Sequence, residues 1–232
     1  MLEQKKGSHV GVVLSFMLFI MFIIFMYVLL RSTVTQETGK ANALEYVKEK
    51  VADNVSSQME TISVKVINPG ATCIQLTGFL SSMGISNRVI VLDDSGNRLT
   101  AGTSGSDLQI NRDSQTFFRI YESDGFSPVT TPIGSCASPT YDVGASKTET
   151  LVFETKVLEL LANYTANYEN VKKNLSIGST DEFGFIFTYN NRTTIETSTQ
   201  NLTVNVYASQ TPIQYIKTDG TREAGYLAVL VW

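Results

Sequence analysis

Histidine is almost missing from this chain. Among 232 residues there is one, His9, and none follows it. Ser-His-Asp and Cys-His catalysis and histidine-based zinc sites are therefore excluded from everything downstream. Cysteine is nearly as scarce: Cys73 and Cys136 are the only two, too few for a four-thiolate site. No P-loop and no G-x-G-x-x-G stretch occurs, so the common phosphate- and dinucleotide-binding loops are absent. Basic residues number 18 against 22 acids and form no stripe, which gives no electrostatic footprint for nucleic acid. Paired carboxylates would suffice for glycoside hydrolysis. However, the adjacent acids Asp93-Asp94 and Asp181-Glu182 sit at apparent turns, and no acid stands out. No catalytic residue, metal ligand or cofactor is expected, and the chain does not read as an enzyme.

What is present is a long apolar run. Residues 10–30 carry no charge, no proline and one glycine. At the helical rise they span about 31 Å, the thickness of a bilayer's hydrocarbon core. Insertion gains about 0.3–0.6 kcal/mol for each Leu, Ile, Phe or Val. Ser15, the one central hydroxyl, is able to bond back to a carbonyl one turn earlier. Tyr27 falls near an interface, where an amphipathic ring belongs. Phe16, Phe19, Phe22 and Phe25 recur every third residue and read as lipid-facing, with a helix-packing ridge as the alternative. The lipid bilayer is thus the first partner the sequence implies.

Lys5, Lys6, Gly7 and Ser8 stand directly before this run. The arrangement resembles the class III signal of archaeal type IV pilins and related pilin-like membrane proteins, over about the first thirty residues. The resemblance implies a cut between Gly7 and Ser8, with the hydrophobic helix kept. It also implies a long first helix, half in the membrane and half packed on a sheet, and self-assembly or contact with other envelope proteins. An ordinary secretory signal fits less well, because the apolar stretch is too long and no small-x-small cleavage site follows it. One position departs from the bacterial pilin pattern. Where those chains carry a glutamate that pairs with a neighbour's α-amine, the fifth residue after the cut, this one has Val12.

Flanking charge does not decide which side the remainder occupies. Lys5 and Lys6 precede the helix, while Arg31, Lys40, Lys48 and Lys50 follow it, and large domains translocate largely regardless of charge. Two other features point outward. Cys73 and Cys136 are compatible with one disulfide. Five N-x-S/T sequons begin at Asn54, Asn163, Asn174, Asn191 and Asn201 and are candidate glycosylation sites.

Beyond the anchor, Ala43, Leu44, Val47, Val51, Val55 and Met59 recur at helical spacing. Gly39 either bends this helix from the first or leaves the two continuous. From Thr61 the period becomes two. Ile62, Val64 and Val66 alternate with polar residues before the turn Asn68-Pro69-Gly70. Further strands are expected over 73–80, 88–92, 98–101, 108–110 and 116–121. The DDSGN stretch over 93–97 reads as a hairpin turn rather than a calcium loop, since the later acidic ligand is missing. Residues 123–144 read as loop.

A helix is expected over 149–173, with an apolar stripe of Phe153, Val157, Leu161, Tyr164, Tyr168 and Val171. The stripe should pack on a sheet containing Phe183, Phe185 and Phe187. A tight turn at Asn190-Asn191 then leads to strands over 193–197, 202–208, 213–217 and 226–232.

The expected fold class is α+β. An N-terminal transmembrane helix continues into or is followed by an amphipathic helix, then a mostly antiparallel β ectodomain with one long soluble helix. The divisions are 1–9 (basic leader-like flank), 10–30 (transmembrane helix), 31–60 (amphipathic juxtamembrane helix), 61–148 (β-rich lobe) and 149–232 (helix plus antiparallel sheet). The expected function is that of a single-pass, membrane-anchored envelope protein, a pilin-like or surface structural subunit with its soluble domain outside the cytoplasm. A monomeric anchored module binding carbohydrate or peptide is the alternative.

Overall fold

The computed structural model describes residues 9–67, 70–112, 114–197 and 205–232, without the side chains at 9–10 and 30–38. The turn residues Asn68 and Pro69 and the start of the strand expected at 202 lie outside this set. The first element is one helix of 47 residues, α1 (His9–Val55), about 70 Å long at the helical rise. Gly11–Leu29 is long and apolar enough to cross a membrane, and none of it is buried against the rest of the chain. The helix then passes Gly39 without a break. Val47, Val51 and Val55 are fully buried, with Ala43 and Leu44 packed beside them.

Met59 does not belong to this helical stripe. The helix ends at Val55 and the chain enters β1 (Ser56–Ile67) directly. A spacing of four suits a helix face, but it is also a multiple of two, so Val55 and Met59 fit either period.

The remaining strands are β2 (Cys73–Leu76), β3 (Val89–Asp93), β4 (Arg98–Ser104), β5 (Asp107–Asn111), β6 (Phe117–Glu122), β7 (Thr140–Phe153), β8 (Phe183–Thr188), β9 (Thr194–Glu196), β10 (Tyr207–Ile216) and β11 (Arg222–Val231). They form one sheet in the order β2-β5-β4-β3-β6-β1-β7-β10-β11-β8-β9. The sheet is mostly antiparallel. Among the described residues, a parallel pairing joins β7 to β10 at Tyr215–Val152 and Ile216–Phe153, and an isolated parallel bridge joins Ile74 to Ala137. The fold is thus α+β, as expected.

Several elements differ from expectation. The segment expected as a strand over 73–80 is a strand only to Leu76. Phe79–Met83 is a short helix, α2, flanked by Gly78 and Gly84 at positive φ. The loop expected over 123–144 ends earlier, because β7 starts at Thr140 and pairs with β1 over almost its whole length. Residues 142–148 of β7 are exposed on both faces, so no hydrophobic alternation marks them. The expected single helix over 149–173 is two helices, α3 (Glu154–Ala166) and α4 (Tyr168–Asn174). Its supposed first turn belongs to β7, where Leu151, Val152 and Phe153 are all buried. Three consecutive apolar residues buried on both faces of a strand cannot be told from a helix by periodicity. The break falls at Asn167, whose Oδ1 accepts from Asn170 N and caps α4.

Finally, β10 is one strand where two were expected. It carries Pro212 opposite Tyr226. Proline is tolerated on a strand edge, and β10 is an edge there, since β7 joins it only at Tyr215 and Ile216.

Three apolar clusters fill the domain. In the first, Val47, Val51 and Val55 of α1 and Val157, Leu160 and Val171 of α3 and α4 cover Phe183, Phe185 and Phe187 of β8. Val157, Tyr164, Tyr168 and Val171 of the expected stripe pack on the Phe183, Phe185 and Phe187 strand, with Leu161 half-buried and its neighbour Leu160 deeper. Phe153 does not, because as the last residue of β7 it points to the opposite face. In the second, Ile74, Leu76, Leu108 and Ile110 of β2 and β5 share a core with Ile62, Val64, Val66, Phe118 and Ile120. That contact requires the sheet to fold over at β4. Only Arg98 and Leu99 of β4 pair with β3, while Thr100–Ser104 pair with β5. The third cluster lies on the opposite face. Met59, Ile90, Leu92, Leu151, Phe153 and Ile216 meet Phe126 from the 123–139 loop. The Phe126 and Phe153 rings meet edge to face at 5.2 Å. Gly125 lets the loop pass that ring, where a Cβ would collide.

Candidate functional site

The junction between the apolar half of α1 and the folded domain is held by named groups. Lys40 Nζ donates to Asp181 Oδ1 at 2.7 Å and to the Trp232 carbonyl at 3.2 Å. One turn and a half further on, Tyr46 donates to the Ser176 carbonyl at 3.2 Å. The next residue, Val47, begins the buried stripe. The helix is therefore fixed to the domain by ion pair, hydrogen bond and apolar burial in succession.

Beside this junction, Lys172 is almost fully buried and donates to Glu182 Oε1 at 2.8 Å, and its ammonium stands 5.5 Å from the Tyr168 ring centroid. Burial pushes the Glu182 carboxyl up, but the bonds from Lys172 and Tyr168 outweigh it and leave the pKa lowered. The Tyr168 hydroxyl accepts from Phe183 N at 2.9 Å, and Tyr164 donates to the Phe183 carbonyl at 2.6 Å. Burial, followed by the Glu182 carboxylate, raises the Tyr168 pKa. The adjacent acids Asp181 and Glu182 thus each take a lysine. Asp93 is occupied by its own turn: its two carboxylate oxygens accept from Asn97 N at 2.7 Å and Asn97 Nδ2 at 3.0 Å. Those bonds, the side-chain one first, lower its pKa despite burial.

Across the sheet, Arg222 of β11 reaches Glu149 of β7 at 2.7 Å, and Lys147 reaches the same carboxylate at 2.8 Å. The Arg222 bond first, and the Lys147 bond second, hold the Glu149 pKa at about 2 against an ordinary 4.5. As pH falls, the unfolded chain therefore takes up this proton before the folded one does. The stabilisation is complete above about pH 4.5 and is lost as pH falls towards 2. We expect Glu149→Gln to lower the melting temperature at pH 7 and to match the unmodified protein near pH 2. Melting curves at both pH values check this, and an equal difference at both would refute it.

Cys73 and Cys136 stand at disulfide distance, with Cα atoms 4.7 Å apart. Cys73 opens β2. The loop is joined to that strand beside the pair by two backbone bonds through Ala137, Gln75 N to the Ala137 carbonyl at 2.7 Å and Ala137 N to the Cys73 carbonyl at 3.1 Å. The loop is also held elsewhere along its length. Gln109 Oε1 accepts from Ile133 N at 2.7 Å, Thr103 donates to the Val129 carbonyl at 2.6 Å, and Ser123 donates to the Gln58 carbonyl at 2.7 Å.

The expected cut between Gly7 and Ser8 and the sequon at Asn201 lie outside the described residues. The other four sequons divide in two. Asn163 and Asn174 line one pocket of about 170 Å³ with Asn167, Asn170 and the sequence-distant Asn54. Asn191 sits in the β8–β9 turn beside a more open groove of about 370 Å³, shared with Tyr189, Asn190, Thr193, Lys217 and Glu223. In this region Tyr189 donates to Glu154 and Tyr215 donates to Glu223, at 2.8 and 2.7 Å. Burial, then the Glu223 bond, pushes the Tyr215 pKa up to about 12. Among the described residues, no group of three His, Cys, Asp or Glu stands together to hold a metal.

Lys40, Lys172 and Arg222 carry no motif and escaped the sequence reading. Each is defined by a partner 141, 10 or 73 residues away in the chain.

These observations define an α+β domain built around the second half of a helix whose first half is apolar and uncovered. Comparison with protein-family models, with curated proteins and with solved structures returns no match.

Proposed function

We propose that this chain is a single-pass, N-terminally anchored envelope protein whose domain stands outside the cytoplasm as a pilin-like surface subunit. The observation that carries the reading is α1 itself. One unbroken helix presents Gly11–Leu29 with no protein cover and then buries Val47, Val51 and Val55 in the domain core. A secretory signal cut from the chain gains nothing from such continuity, whereas a retained anchor that is continuous with the core holds the domain directly at the membrane. The pair Cys73 and Cys136 at disulfide distance supports an oxidising compartment. Because the Lys40 and Tyr46 bonds fix the helix to the domain, the domain cannot swing freely on its anchor, as suits a subunit that repeats in register. Val12 offers no carboxylate to a neighbour's amine, so a filament of this chain is held by packing of the uncovered apolar helices and by domain contacts. The groove beside Tyr189 and Lys217 favours the second reading, a monomeric anchored module that binds carbohydrate or peptide.

Shearing intact cells and analysing fibre and membrane fractions by mass spectrometry separates the two. A chain beginning at Ser8 and recovered in sheared fibres is the expected result. A chain beginning at Met1 and found wholly in membranes would favour the lone module. Complete protection from protease added to intact cells would reverse the orientation.

A further inference from the structure

The four described sequons are not equivalent acceptors. Asn54 is in the last turn of α1, Asn163 is within α3, and Asn174 is the last residue of α4. The residues that follow Asn54 and Asn174, Val55 and Leu175, are buried in the core. The hydroxyl of the Asn163 sequon, on Thr165, donates to the Leu161 carbonyl at 2.9 Å inside the helix. Presenting any of these three to an enzyme requires unwinding a helical turn that is packed on the domain.

Asn191 differs in its backbone rather than in exposure, since all four asparagines are exposed. It sits outside any helix, in the turn between β8 and β9, where the following residue, Arg192, is exposed and takes the left-handed conformation at φ 69°. Its Oδ1 accepts from Thr193 N at 3.0 Å and from the Thr193 hydroxyl at 2.7 Å. Among the described residues, no hydrogen bond engages its Nδ2.

We infer that Asn191 is the principal N-glycan acceptor of this domain and that the three helical sequons are poor ones. Hydrogen bonding from Thr193 to Oδ1 polarises the amide of this exposed residue and makes Nδ2 the attacking atom. The donor is a lipid-pyrophosphate-linked sugar, supplied with its transferase by the envelope. Nδ2 bonds to the sugar's C1 and the bond from C1 to the pyrophosphate oxygen breaks. The lipid pyrophosphate leaves with the electron pair, and the amide proton passes to a base of the transferase. The inference rests on the outward orientation proposed above.

The test uses the full chain from its native membrane, digested separately with trypsin and chymotrypsin. Cleavage after Tyr189 parts Asn191 from Asn174, and cleavage after Arg192 parts it from Asn201. We expect a glycan mass on Asn191 in most molecules and on the helical asparagines in few. Asn191→Gln and Thr193→Ala should each remove it, and Thr193→Ser should keep it. Unmodified Asn191 on a chain whose domain is shaved from intact cells would overturn the inference and leave the orientation standing. Occupancy at Asn54, Asn163 or Asn174 equal to that at Asn191 would overturn it too. Protection of the domain from protease would remove the reading beneath it.

Discussion

Replacing Phe185 by alanine is expected to cost about 3–5 kcal/mol of stability, the usual range for removing a buried phenyl ring. Phe185 is fully buried between Phe183 and Phe187 on the face of β8 that α1, α3 and α4 cover. Its ring lies 6.3 Å, edge on, from that of Tyr164. The backbone has little freedom to close the hole, because Phe185 N donates to Thr197 Oγ1 at 3.0 Å and β8 is paired on both sides. The cavity would therefore stay largely open, and open cavities give the larger costs. Leu158, on the exposed side of α3, is the control. Its replacement by alanine should move stability by under about 0.5 kcal/mol. Thermal or denaturant unfolding of the whole chain in detergent is the measurement, since removing α1 would take Val47, Val51 and Val55 out of the core. Equal effects at Leu158 and Phe185 would refute this packing.

Removing the Cys73–Cys136 link should cost a similar amount by a different route. The cysteines are 63 residues apart, and closing a loop of that length removes about 4 kcal/mol of unfolded-state entropy in the chain-entropy model. Folded-state contacts should change little in a Cys73→Ala, Cys136→Ala double variant. The loop keeps its bonds to Gln75, Gln109, Thr103 and Gln58. The expected signature is a lower unfolding midpoint with the native spectrum intact, and an equal drop when the unmodified protein is reduced. Two alkylatable thiols in the unreduced, denatured protein would show that the bond is absent. It would also remove one support for the outward orientation.

The effects at Phe185 and at the cysteines were differently legible. Alternation at Phe183, Phe185 and Phe187 is a local signal, since a strand with one buried face repeats every second residue. The same holds for the charge-free run before Leu30 and for the four-residue spacing of Val47, Val51 and Val55. A pairing of Cys73 with Cys136 was open to inference from a count of two cysteines, but their approach to disulfide distance depended on where the 123–139 loop returns to β2.

Local pattern therefore determined the apolar helix, the α+β class and the aromatic strand, because each depends on side chains within a few residues of one another. Tertiary structure alone decided that β7 is a strand. Its exposed centre is held by backbone pairing to β1, and backbone groups are the same in every residue. The break at Asn167 likewise needed the three-dimensional fold: there an asparagine caps a new helix within an otherwise continuous stripe. The meeting of Asn54 with Asn163 and Asn174 at one pocket and the attachment of Lys40 to Asp181 join residues more than a hundred positions apart. No periodicity extends that far along a chain, so such contacts exist only once the sheet has brought the two ends together.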